Sequence, residues 1–301
     1  MDFEKSIRED FSDVPLLLFC GGKGKRMENL AYKHILPSKQ WLPIGFDENN
    51  EPIPLFWLNF EIFLELGFRR FYILVSENRE SIEKYFKNKF KGKNIIIQLL
   101  NKENLLKKLE FEGIEINIFE NEERGTATQI LALKNVIKDK PFVRVYGDEY
   151  FGGEKGDIKT EFKSFIEYAL EKIKREKGIE VFAFVEKEKS IGSPGKEIGI
   201  EKNKQSGKVI KTNKSDFILT SLCVSSPEFI GVLESIKKDL VSLDLDSPEI
   251  DNKIVESQKV YGKVIEIKFF SNVNSQIDYF NLVSYIKELN KKNRKDLIKI
   301  K

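Results

Sequence analysis

Short apolar runs alternate with stretches of helical periodicity along the first half of this chain, and that alternation constrains the fold most. Val14–Cys20, Phe71–Val75, Ile95–Leu99, Ile114–Phe119 and Phe142–Tyr146 are apolar-rich segments of strand length. Nearly continuous apolar strands of this kind are buried on both faces of a sheet. Pro54–Leu66, Ser81–Phe90 and Thr128–Ile137 carry apolar residues at helical spacing. The order predicts an α/β sheet with helices on both faces. In such sheets ligands bind beyond the carboxyl ends of the strands. Two turns lie there, "CGGKGKR" after the first strand and "GDE" after Phe142–Tyr146.

The second half predicts helix Ile158–Arg175, strand Glu180–Val185, and then three short extended pieces, "KEIGIEKN", "GKVIKTN" and "FILTSLCVSS". These read as antiparallel strands laid beside the first sheet. Helices follow at Pro227–Lys238 and Pro248–Ser257, then strand Val260–Phe269 and a helix from Gln276 to Leu289. The polar stretch "NKENLLKKLEFEG" reads as a loop with a short helix, and the two prolines of "HILPSKQWLPIGF" predict extended chain. No break in composition marks a linker, so residues 1–301 read as one domain.

Charge excludes some partners. The 51 Lys+Arg and 48 Asp+Glu leave a net +3 spread along the chain, which gives no footprint for nucleic acid. Cys20 and Cys223 have no metal-ligand or CxxC neighbour, which points to a reducing compartment and against zinc. The charged start "MDFEKSIREDF" and the shortness of the apolar runs predict no signal peptide and no membrane span. A cytoplasmic protein is the expectation.

Gly21, Gly22 and Gly24 can present consecutive backbone N–H groups as a concavity for an anion, with Lys23, Lys25 and Arg26 adding charge. The alternative is a tight turn carrying solvated lysines. Neither a P-loop nor a dinucleotide fingerprint fits: no register supplies G-x-x-x-x-G-K-[ST], and Met27 stands where the fingerprint needs glycine.

Together with "PSKQWLPIG" farther on, "FCGGKGKRM" resembles the signature of the sugar-1-phosphate nucleotidyltransferases, the nucleotide-sugar pyrophosphorylases. Their pattern is roughly L-A-G-G-x-G-T-R-L, a gap, then P-K-Q/P-x-L-P-I. Lys25 departs from it, putting a point charge where the family has a hydroxyl. The resemblance implies a Rossmann-like three-layer αβα nucleotidyltransferase fold with a mixed central sheet and an antiparallel sugar-binding extension. Residues 1–150 would form the nucleotide-binding half, and residues 151–301 the sugar-phosphate half with the C-terminal helix.

The reaction so implied is attack of a sugar-1-phosphate oxygen on the α-phosphorus of an NTP, releasing pyrophosphate. A phosphomonoester has a second pKa of about 6, so the nucleophile is already an anion and no general base is required. That suits a chain whose single histidine, His34, reads as structural. Charge neutralisation and positioning remain. By resemblance, Arg26 grips the β,γ-phosphates, Lys39 the α-phosphate, and Asp148 holds Mg²⁺. Gly21, Gly22, Lys23, Gly24, Lys25, Gly125 and Thr126 line the nucleotide.

The family's second acidic motif is replaced by "NVNSQIDY", so Asn274, with Asn272 second, is the expected partner of Asp148 on the metal. "IFENEERGTATQI" resembles the base segment of mannose-1-phosphate guanylyltransferases through Glu120, Arg124, Thr126, Ala127 and Ile130. A carboxylate only accepts hydrogen bonds; guanine offers two donors, and uracil or thymine one. GTP is therefore favoured, with UTP and dTTP next. On the sugar side, Gly199 takes the place of a family glycine, Lys214 would meet the sugar phosphate, and Asn213 and Thr220 the hydroxyls.

Two other classes compete. A non-catalytic nucleotide-sugar-binding paralogue would account for Lys25 and the asparagine pair. A glycosyltransferase would need D-x-D, which "GDEYF" lacks at Tyr150. NTP and sugar-1-phosphate are the expected partners, and a homo-oligomer is left open.

Overall fold

The computed structural model describes residues 11–21, 38–47, 49–75, 79–100, 113–120, 125–191, 198–200, 206–211, 215–237 and 259–292. The first-half strands are β1 (Pro15–Phe19), β2 (Pro43–Phe46), β3 (Pro52–Pro54), β4 (Arg70–Val75), β5 (Ile95–Leu100), β6 (Ile114–Glu120), β7 (Phe142–Tyr146) and β8 (Glu149–Gly152). The later ones are β9 (Glu180–Glu186), β10 (Ser190–Ile191), β11 (Ile198–Ile200), β12 (Ser206–Lys211), β13 (Phe217–Ser225), β14 (Val260–Val264) and β15 (Phe269–Asn272). Helices are α1 (Leu55–Glu65), α2 (Arg79–Lys89), α3 (Thr126–Ala132), α4 (Lys134–Ile137), α5 (Lys155–Glu176), α6 (Glu228–Lys237) and α7 (Gln276–Lys292).

Ten of these strands form one sheet in the order β11-β12-β14-β9-β13-β7-β1-β4-β6-β5. From β7 to β5 every pairing is parallel. The later pieces join this sheet and do not lie beside it. β13 runs against both β7 and β9, and β12 against β14, whereas β14 pairs with β9 in parallel.

Side chains of a strand alternate between faces, and the two cores can be read off β1. Leu16 and Leu18 enter one cluster with Phe56, Phe60 and Phe63 of α1, Phe86 of α2, and Phe162 and Phe165 of α5. Leu17 and Phe19 enter the other with Ile130 of α3, Ile137 of α4, and Phe229 and Leu233 of α6. The result is three layers. Rings interlock in the first core, with Phe60 4.4 Å from Phe71 and 5.2 Å from Trp57 between centroids.

Two expected elements divide. The helix expected over Thr128–Ile137 begins at Thr126 and breaks at Leu133 (φ −87°, ψ 0°), whose amide meets both Gln129 O and Ile130 O. Strand Val260–Phe269 becomes β14 and β15, which belong to different sheets. Buried Ile265, Ile267 and Phe269 keep the alternation going through the crossover, so the pattern shows no seam. "HILPSKQWLPIGF" holds a 3-10 turn at Lys39–Trp41 before β2. The expected helix Pro248–Ser257 and residues 101–110 lie outside the described residues. No described helix is long and apolar enough to cross a membrane.

Candidate active site

The carboxyl ends of β1 and β7 emerge side by side because Phe19 is paired with Tyr146. The Cys20 amide donates to Leu74 O at 2.7 Å and the Gly147 amide to Phe19 O at 2.9 Å. The Lys39 turn is docked on this edge. Ser38 Oγ donates to Cys20 O at 2.8 Å, and buried Gln40 donates through Nε2 to Gly21 O at 3.1 Å. Trp41, packed 4.8 Å from Phe56 and 5.2 Å from Tyr85 between ring centroids, fixes the turn from below. Lys39 thus projects from a turn held on both sides.

Residue 147 has to be small. A Cβ there would meet Phe56 Cβ at 2.9 Å, Cys20 Sγ at 3.1 Å and Gln40 Cγ at 3.2 Å. Asn59 of α1 is buried and ties the same turn down, donating to Tyr146 O at 3.2 Å and Glu149 O at 2.9 Å. Asp148 sits between these anchors. Burial, with the Asp148 charge added, pushes the Cys20 thiol well above its ordinary range, so Cys20 is a neutral neighbour.

β15 runs antiparallel to β8 with Asn272 opposite Glu149, and the Val273 amide donates to Asp148 O at 2.9 Å. That contact brings the next residue to Asp148. Lys39 Nζ donates to Asn274 Oδ1 at 3.0 Å and Val273 O at 3.2 Å, and forms an ion pair with Asp148 Oδ2. Lys39, Asp148 and Asn274, selected separately in the sequence, are in one cluster. Asp278 is not part of it. Its Oδ2 accepts from the amides of Asn274 (3.2 Å) and Ser275 (2.8 Å) and from Ser275 Oγ (2.8 Å), a reciprocal cap on α7.

The donors at this place are one carboxylate and amide oxygens. Asn272 Oδ1 is buried and has no hydrogen-bond partner among the described residues. No cluster of three or more His, Cys, Asp or Glu side chains forms there or elsewhere among those residues. Hard oxygen donors of this sort fit Mg²⁺, which keeps waters and is commonly shared with substrate phosphates.

Glu120 ends β6 level with Val75 of β4. Its Oε2 lies 3.3 Å from Arg79 Nε at the start of α2, and both side chains are partly exposed. Gly125 (φ 100°) caps α3 in a conformation glycine tolerates, with Thr126 as the first helical residue. Thr220 faces inward. It is buried and donates to Ala183 O at 3.0 Å. Gly199 lies on edge strand β11 opposite Ile210. Gly22, Lys23, Gly24, Lys25, Arg26, His34, Arg124, Asn213 and Lys214 lie outside the described residues.

Sequence reasoning missed the residues that hold the Asp148 turn. Glu149 is buried, and its carboxylate receives the Ser221 amide at 2.8 Å and Ser221 Oγ at 2.7 Å. Ser221 Oγ in turn accepts from the Tyr146 amide at 2.7 Å. Ser221 reaches Glu149 at an irregularity of β13, where the register with β9 shifts between Leu219 and Cys223. Periodicity carries no trace of such a shift. Arg79 was equally unmarked.

No protein-family model matches the sequence, and no curated protein does. Solved structures do match in three dimensions. An apo UDP-glucose pyrophosphorylase superposes with TM-score 0.63 at 17% identity, over 92% of this chain and 99% of that one. The fold is the one these nucleotidyltransferases share. A UDP-glucose pyrophosphorylase complexed with UDP-glucose gives TM-score 0.61 at 15% identity, over 91% of this chain and 99% of the other. The inositol-1-phosphate CTP transferase from T. maritima gives 0.58 at 14%, over 91% and 96%. A nucleotidyltransferase fold over nearly the whole chain agrees with the architecture expected from the turn motifs.

Proposed function

We propose that this chain transfers a nucleotidyl group from an NTP to a sugar-1-phosphate in the presence of Mg²⁺, giving an NDP-sugar and pyrophosphate. The observation that carries this reading is the meeting of Lys39, Asp148 and Asn274 at the carboxyl ends of β1 and β7. That is the edge where open α/β sheets bind ligands, on a fold shared with proteins named for this chemistry.

The nucleophile arrives ionised, so the chain supplies no base; it supplies charge and position. Lys39, on a turn locked by Ser38 and Gln40, delivers one positive charge within a side chain's reach of a phosphate. Asp148 and Asn274 would hold the divalent cation, which neutralises triphosphate charge when bound. Arg26 keeps its role on the β,γ-phosphates as part of the proposal.

We favour GTP as the nucleotide because Glu120 offers an acceptor to the two donors of guanine. The structural relatives named above carry uracil or cytosine in their names, not guanine. UTP and dTTP, whose bases each offer one donor, are the next candidates. A binding protein without turnover is the alternative, and the presence of amide oxygens in place of a second carboxylate favours it.

One experiment decides. The full chain is mixed with Mg²⁺, each of GTP, UTP, dTTP, CTP and ATP, and a panel of sugar-1-phosphates, and pyrophosphate release is followed. Release with one nucleotide and one sugar supports transfer. Nucleotide binding without release across the panel supports the binding protein.

A further inference from the structure

Lys39 has no donor left over. An ammonium carries three hydrogens, and here three oxygens take them: Asp148 Oδ2, Asn274 Oδ1 and Val273 O. Two of those oxygens belong to the side chains read above as cation ligands. The third is a backbone carbonyl, also a hard donor. We propose that Lys39 and the divalent cation compete for one set of oxygens, so that the lysine acts as a built-in stand-in for the metal. The idea rests on the reading of Asp148 and Asn274 as metal ligands.

Charge makes the exclusion strong. Among the described residues, the neighbouring acidic side chains are engaged elsewhere, Glu149 by Ser221 and Asp278 by the cap of α7. A divalent ion entering beside Lys39 would place three positive charges on the single Asp148 carboxylate. Two cations at contact distance in a partly buried place repel each other far more than they would in bulk water. One of the two cations has to leave. The lysine side chain can swing, and a phosphate gives it somewhere to go.

The consequence is an order of events. A triphosphate that takes the Lys39 ammonium frees Asp148 and Asn274 for the cation, so nucleotide and cation bind with positive coupling. Linkage makes that coupling reciprocal. In the free protein the cation sees only the fraction of molecules in which Lys39 has swung away. If that fraction is about a tenth, apparent affinity falls about tenfold.

Mn²⁺ binding to the full chain without nucleotide, followed by electron paramagnetic resonance, tests this directly. Lys39→Met is expected to bind Mn²⁺ about tenfold more tightly than the wild type. Lys39→Met combined with Asp148→Asn should lose that gain. Equal or weaker Mn²⁺ binding in a folded Lys39→Met variant overturns the competition.

A second measurement uses the wild type alone. Acetic anhydride labelling, mapped by mass spectrometry, should rise several-fold at Lys39 when Mg²⁺ is added while exposed lysines such as Lys87 and Lys163 stay constant. Unchanged labelling at Lys39 overturns the proposal as firmly as the variant. Failure here is separable from failure of the transfer reading. Pyrophosphate release with an unchanged Mn²⁺ affinity removes the competition and leaves the enzyme. Tighter Mn²⁺ binding without release does the reverse.

Discussion

The ammonium of Lys39 is ion-paired with the carboxylate of Asp148, two side chains that leave the sheet from different turns and are both largely buried. The pairing is imposed from outside: Ser38 and Gln40 clamp one turn to β1, and Asn59 clamps the other. A contact built on two anchored turns is a place for chemistry that depends on position.

Loss of Lys39 should therefore cost rate and spare the fold. Lys39→Met is expected to lower turnover about a hundredfold to a thousandfold, the usual effect of removing one group aimed at developing charge. Far-ultraviolet circular dichroism should stay close to the wild type because the turn is held by its neighbours, while the melting temperature falls because Asp148 loses its cation. Near-normal turnover in this variant would show that Lys39 does not meet the reacting phosphate.

Asn274→Asp adds a carboxylate beside Asp148. The new charge attracts both Lys39 and the divalent ion, but the ion carries twice the charge, so the Coulomb gain favours it. The Mg²⁺ concentration for half-maximal rate should fall several-fold. A Mg²⁺ titration of turnover reads this directly, and an unchanged midpoint would move attention to Asn272, whose Oδ1 is buried without a partner among the described residues.

Gly147→Ala tests the seat of Asp148. The added methyl would lie 2.9 Å from Phe56 Cβ and 3.1 Å from Cys20 Sγ, distances that force something to shift. Overpacking of this kind costs roughly 1–3 kcal/mol. The variant should melt earlier and need more Mg²⁺, since a shift of the backbone at residue 147 carries the adjoining Asp148 with it. A lower melting temperature with an unaltered Mg²⁺ requirement would show that the strain is absorbed in the core.

The first half of the sheet was legible because parallel strands buried on both faces leave uninterrupted apolar runs, as in Leu16–Phe19 and Phe71–Val75. The joining of β9 and β14 to the same sheet was not legible. Glu180–Glu186 has the same pattern whether its neighbour runs with it or against it, and pairing is decided by long-range register. At the candidate site, Lys39, Asp148 and Asn274 could be picked because the segments around them resemble nucleotidyltransferase motifs. Glu149, Ser221 and Asn59 could not, since a buried polar residue is marked by its partners and those are distant in sequence. The Thr220 hydroxyl donates to Ala183 O, a partner far away in sequence that no pattern in the chain announces.

In the proposed reading the choice of base turns on Glu120, whose Oε2 lies 3.3 Å from Arg79 Nε. A carboxylate facing the base edge accepts from guanine N1–H and N2–H, whereas uracil sets one donor between two carbonyls. Glu120 is partly exposed and paired with Arg79, so a mismatched base costs toward the low end of the usual range, about 1 kcal/mol. That is about fivefold in the ratio of kcat/KM for GTP over UTP. Glu120→Gln keeps the shape, adds a donor and removes the charge, so the ratio should shrink toward one. Arg79 acts through Glu120. Arg79→Met should raise KM for GTP several-fold with kcat little changed, and it should keep GTP ahead of UTP because the carboxylate remains. Specificity constants for the wild type and both variants with GTP, UTP and dTTP settle the matter. An identical nucleotide ranking in the wild type and Glu120→Gln would mean that Glu120 serves only its ion pair with Arg79, and that main-chain groups near Gly21 and Gly125 read the base.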